Sequence, residues 1–228
     1  MQKSDCFRQS AILSIAALAL LIVISLVGAR SLPVTSQEQF EIIYPLVDYI
    51  RNLDAAEPVI RILLFMDSLF ILAYIGAVSF AILGFAKRNL PVAWFSGLGI
   101  LAVMGFDIWE NILIVVSLDL VKAEEIINTQ IMAQQALVSS FKWQISAITL
   151  FALSFLLPGK RLAEFLLVWG TRLGLAVAAP LFVFNPLEMR AVGSLLILVS
   201  MAGGFALLAI VAWQNRTETT IEENTACE

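Results

Sequence analysis

Asp107, Glu110 and Asn111 lie within one turn of each other inside an apolar run over residues 92–118. At about 100° per helical residue they share one arc, while Trp109 points the other way. A charged side chain at the centre of a bilayer costs about 2.5–3.5 kcal/mol on insertion scales. Such groups therefore turn toward protein or water, and they mark candidate functional sites. Two further apolar runs carry matching polar stripes. Asp67 and Tyr74 are seven residues apart, which returns to nearly the same face. Ser139, Lys142, Ser146 and Thr149 recur at intervals of three and four.

The chemistry open to this group is that of clustered carboxylates around one ammonium. Three carboxylates and one ammonium cannot all be charged cheaply in a low dielectric. At least one of Asp107 and Glu110 is therefore expected to carry a proton near neutral pH. A shared proton with residual negative charge suits a cation, an amine or a proton relay. Arg172, midway along another apolar run, is expected to add a second positive charge if its helix packs beside Asp107. Ser139, Ser146 and Thr149 read more simply as hydrogen-bonding glue between helices.

The elements that position these residues follow from hydropathy. Apolar residues make up 60% of the 228-residue chain and charged residues 14%. Soluble domains average about 45–50% and about 25%. The expected fold is an all-α membrane protein, a six-helix transmembrane bundle with one or two amphipathic exterior helices. Six runs are long enough to span a bilayer: 11–28, 59–85, 92–118, 138–157, 162–184 and 191–213. Residues 1–213 thus form one transmembrane domain.

Lys3, Arg8, Lys87, Arg88, Lys160, Arg161 and Arg216 fall on one side if both termini are cytoplasmic, which is the positive-inside pattern. The other side then carries Glu38, Glu41, Asp48, Asp54, Glu57, Asp119, Glu124, Glu125 and Glu188, with fewer, scattered basic residues at Arg30, Arg51, Lys122 and Arg190. A cleaved signal peptide is the rival for the first run. The run exceeds a usual h-region of about 7–15 residues, which favours a retained helix. The cell membrane is the expected location.

Segments 37–54 and 122–137 have apolar residues at helical spacing and are expected to lie on the outer surface, the first with Pro45 as its start or kink. The alternative is that each extends the neighbouring span. Residues 214–228 are polar and acidic, and are expected to form an unstructured cytoplasmic tail. Gly193, Ser200, Gly203 and Gly204 read as close-packing positions. Trp94, Trp143 and Trp213 near span ends suit interfacial belts. Pro180 suits a kink and Asn185-Pro186 a turn.

Depth agrees with direction. Asp67 stands about 12 Å below the outer end of its span at 1.5 Å per residue. Glu110 on the antiparallel neighbour reaches a similar depth. Lys142, nearer the outer end of its run, can turn its ammonium inward to the acids or outward to the headgroups. The inward choice puts Asp67, Asp107, Glu110, Asn111 and Lys142 in one outer-half pocket, with Tyr74 closing it below.

The chain has no histidine, which removes His-ligated haem, HExxH zinc sites and Ser-His or Cys-His catalysis. No cofactor is expected. No basic stripe points to nucleic acid. Cys6 and Cys227, both placed on the cytoplasmic side, are expected to remain unbridged.

The three motifs MDSLFILAY, FDIWEN and SSFKW carry a resemblance. In these stretches Asp67 with Tyr74, Asp107 with Glu110-Asn111, and Lys142-Trp143 resemble a pattern found in small uncharacterised polytopic membrane proteins. The resemblance covers the second to fourth spans. It implies that these residues form one group, and it names no reaction.

Three functions compete. The first is binding or transport of a cation, proton, cationic small molecule or lipid headgroup, with the bilayer as the standing partner. The second is a membrane enzyme using carboxylates as acid and base on a lipid or isoprenoid. An intramembrane aspartyl protease is disfavoured, because Gly105-Phe106-Asp107 is not a Gly-x-Gly-Asp motif and no Pro-Ala-Leu signature is present. The third is a structural or assembly subunit whose polar cluster docks a partner helix.

Overall fold

The computed structural model describes residues 2–31, 35–123, 125 and 127–225, with side chains to residue 220. Among the described residues every regular element is a helix and none is a strand. The α-helices are α1 (Lys3–Arg30), α2 (Leu46–Phe85), α3 (Leu90–Lys122), α4 (Thr129–Leu153), α5 (Leu162–Phe184) and α6 (Arg190–Thr225). All six are long and apolar enough to cross a membrane.

Local chemistry sets the starts of these helices. Asn89 caps α3 by accepting from the Val92 N–H at 3.3 Å, and Pro91 occupies the first turn, where no N–H is needed. Asn128 caps α4 in the same way through Ile131. Glu164 bends back to accept from the N–H groups of Lys160 and Arg161 at the start of α5. Asn185, at φ 47°, makes the left-handed turn out of α5, and its side chain accepts from the Arg190 N–H that opens α6.

Each helix packs along its neighbours in sequence, and α6 packs against α1. The six therefore close into a ring. Close approach is specific along it. Ser10 donates from α1 to the Ala77 carbonyl of α2 at 2.9 Å. A Cβ on Gly84 would stand 2.5 Å from Phe7. Many large apolar side chains, among them Phe65, Leu72, Trp94 and Leu98, point outward from the ring.

Several expectations change. Neither segment 37–54 nor segment 122–137 is a separate surface helix. Pro45 sets the start of α2, and the helix then runs unbroken through Pro58 into the second span. Its 40 residues measure about 60 Å, twice a hydrocarbon core of about 30 Å. The added turns are held by a second apolar core, in which Phe40, Tyr49 and Leu53 meet Ile114, Leu118 and Met132. Residues 129–137 likewise extend α4. Glu124, Ile126 and Cys227 lie outside the described residues, whereas Cys6 is a buried free thiol. The expected unstructured tail continues α6 as helix to Thr225, and Arg161 pairs with Glu218 beside it.

Gly193 is a packing glycine, because a Cβ there would stand 2.5 Å from the Phe182 nitrogen. Gly203 and Gly204 are not: nothing lies within 4 Å of where their Cβ atoms would be. Trp143 is no belt residue. It is buried against Phe182 inside the ring.

Candidate functional site

Three successive helices carry the polar stripes inward. Tyr74 on α2 donates its hydroxyl to Asp107 Oδ2 on α3. Asn111 on α3 donates through Nδ2 to Asp67 Oδ2 on α2 at 2.7 Å. Lys142 on α4 donates to Glu110 Oε2, and its Nζ stands 3.6 Å from Asp107 Oδ1. Two linked sets result, Tyr74–Asp107–Lys142–Glu110 and Asp67–Asn111, carried on the same stretches of α2 and α3. Glu110 is wholly buried, and its second oxygen, Oε1, has no hydrogen-bond partner among the described residues.

Sequence reasoning missed the remaining contributors, which come from the connection between α1 and α2 and, at Ser194, from α6. That connection does not stay outside. Phe40 and Glu41 are buried, and a short 3₁₀ turn over Gln37–Phe40 aims its polar side chains at the site. Glu41 Oε2 accepts from Ser139 Oγ at 2.6 Å and from the Trp143 indole N–H at 3.1 Å. Glu41 Oε1 lies 3.5 Å from Lys142 Nζ. Gln37 donates to Asn111 Oδ1 at 2.8 Å. Ser194, on α6, donates to Glu38. The one signal for this was Phe40 between two acids three residues apart, an apolar anchor in a stretch otherwise read as lying on the outer membrane surface.

Lys142 is therefore ringed by carboxylates from three places in the chain: Glu41, Asp107 and Glu110. Its Nζ also lies 4.6 Å from the centre of the Trp143 ring, within cation–π range. Asp67 and Glu38 enter no ion pair among the described residues. Arg172 is not brought to the group. Its guanidinium donates to Ser154 Oγ at 3.0 Å and lies over Phe155 and Trp169. The long arginine stem lets the charge leave the middle of its helix for the far end of the bundle.

The ring encloses a cavity of about 620 Å³, within the usual range of ligand sites. Glu38, Glu41, Asp67, Asp107 and Lys142 face it at one end, and Ser146 and Thr149 continue the polar wall down α4. Glu110 lies behind Lys142 and off the lining. Away from the acids the walls are mainly apolar, with Val78, Ile100, Leu167 and Leu208 among them and hydroxyls at Thr149, Thr171 and Ser200. No set of acidic, cysteine or histidine side chains among the described residues is grouped to hold a metal ion.

Burial pushes the Glu38 carboxyl above the ordinary glutamate range. The Glu41 charge adds to this, while the Ser194 hydroxyl and Lys142 oppose it. The folded state then holds this proton more tightly than the unfolded state. Its contribution to stability is complete below about pH 4.3 and declines as pH rises through the folded value. Glu38→Gln keeps an acceptor for Ser194 and removes the titration. Thermal unfolding in detergent across pH 4 to 8 is expected to show the glutamine variant gaining on the native protein as pH rises. A constant difference would refute this.

No protein-family model, curated protein or solved structure matches the chain.

Proposed function

We propose that the protein is a multi-pass membrane protein, with both termini cytoplasmic, whose ring cavity binds a cationic ligand. The outward-facing apolar side chains support insertion, since a soluble protein rarely exposes so continuous an apolar surface. The basic residues at the turns between α2 and α3 and between α4 and α5, with those near both termini, support the orientation. The bonds between the Asp-Tyr, Asp-x-x-Glu-Asn and Lys-Trp helices support reading their polar residues as one site.

One observation carries the functional reading. The cavity's polar end holds four carboxyl groups and a single cation, and that cation is already in contact with three carboxylates, one of them behind the wall. An anionic group entering there meets repulsion, whereas a cation finds Asp67 without an ionic partner. Binding is favoured over alternating access. The six spans are continuous among the described residues, including at Pro58 and Pro180, and transporter sites commonly rest on interrupted helices.

The test is a titration of butylamine into the purified protein in lipid nanodiscs. Asp67→Asn keeps the shape and the partner Asn111 while removing the charge. It is expected to weaken binding by about tenfold or more, as loss of a desolvated charge partner does. Equal affinity in the two proteins contradicts the reading.

Acid–base catalysis on a lipid is the second reading, favoured by the Tyr74 hydroxyl on Asp107 at the cavity wall. Turnover of extracted membrane lipids that disappears in Asp107→Asn would select it over simple binding.

A further inference from the structure

We infer that the ligand is a single-chain amphiphile, an amine-bearing lipid whose hydrocarbon tail lies inside the ring below the acids. This rests on the cation-binding reading and adds the tail. A site for a small cation alone has no use for a long apolar chamber, and this one is long. Its lining on α2 runs from Leu63 to Val78, and on α6 from Ser194 to Leu208, about 20 Å along each helix. The acids stand only toward the Leu63 and Ser194 end. The charged groups therefore stand at one end, and the rest of the lining is mainly apolar, interspersed with hydroxyls at Thr149, Thr171 and Ser200, a division that suits an amphiphile.

The glycines point the same way. Gly170 on α5 and Gly204 on α6 line the chamber, and each has open space where a Cβ would stand. Glycines that let helices approach have neighbours at that point, as Gly193 and Gly174 do. Gly170 and Gly204 instead leave width that a side chain would fill. Charge selects the headgroup. An anionic head would meet Asp67, Asp107, Glu38 and Glu41, whereas a protonated amine would sit among them with the tail following past Tyr74.

The experiment compares butylamine with hexadecylamine, each titrated into native protein, Gly204→Leu and Gly170→Leu in the same nanodiscs, with native mass spectrometry reading bound amine. Partition into the nanodisc is common to all three proteins and cancels in the ratio. Leucine at either position enters open space, so the fold has no clash to absorb, and two separate positions guard against one failing to assemble. Each variant is expected to bind butylamine as the native protein does and to lose hexadecylamine by about tenfold or more, since several methylenes are displaced. If both variants bind both amines as the native protein does, the tail does not lie in the chamber, and the cation site stands without it. If the native protein binds neither amine, the cation reading fails and takes this inference with it.

Discussion

Lys142→Met is expected to destabilise the folded protein by about 3–5 kcal/mol, the usual result of removing one partner from a buried ion pair. Methionine fills a similar volume, so little of the loss comes from packing. The cost lies in what is left behind. Glu110 is wholly buried, one of its oxygens has no hydrogen-bond partner among the described residues, and the other is held by Lys142. Glu41 and Asp107 lose the same neighbour. Adding Glu110→Gln to Lys142→Met removes the stranded charge and is expected to restore most of the loss. The two substitutions are thus strongly non-additive, which a double-mutant cycle in detergent-monitored unfolding measures. A Lys142→Met protein within about 1 kcal/mol of the native one would mean that the lysine does not hold these acids together.

Glu41→Ala carries the second large effect. The carboxylate is the acceptor for both the Ser139 hydroxyl and the Trp143 indole. Alanine leaves both donors buried, and each unsatisfied group costs about 1–3 kcal/mol. The expected loss is therefore about 2–6 kcal/mol, felt where the α1–α2 connection meets α4. Phe40, wholly buried one residue earlier, keeps the connection in place. Glu41→Gln retains an acceptor and is expected to cost less than alanine. Unfolding of the three proteins under one condition decides it. Equal stability of Glu41→Ala and native protein would put Glu41 outside the bundle.

The six helices were legible because lipid-length apolar runs leave few other readings. The grouping of Asp67, Asp107, Glu110, Asn111 and Lys142 was legible for a different reason. Helical periodicity fixed the direction of each stripe, and the short turn between α2 and α3 fixed their relative depth. Glu41 was hidden because an acid in a short polar connection has the same local pattern whether solvated or re-entrant. Only its contacts with α4, about a hundred residues on, distinguish the two. Arg172 misled because periodicity places a Cα, and the guanidinium sits several bonds away. Gly203 and Gly204 misled because small residues at helix faces serve close packing and open space alike, and composition does not separate them. The closure of α6 on α1 is a contact between opposite ends of the chain, which no local pattern encodes.

Everything proposed for the site depends on the acidic α1–α2 connection standing inside the ring. Thiol accessibility tests this directly. In a protein with Cys6 and Cys227 replaced by serine, single cysteines are placed at Phe40, Glu41, Ile43 and Val47 and exposed to a water-soluble maleimide. Phe40 and Glu41 are 0% and 4% exposed, and Ile43 and Val47 are 61% and 78% exposed. Positions 43 and 47 are expected to react freely, and positions 40 and 41 more slowly by about tenfold or more, limited by local opening. Uniform, rapid labelling of all four would place the connection on the outer surface and remove Glu41 from the site.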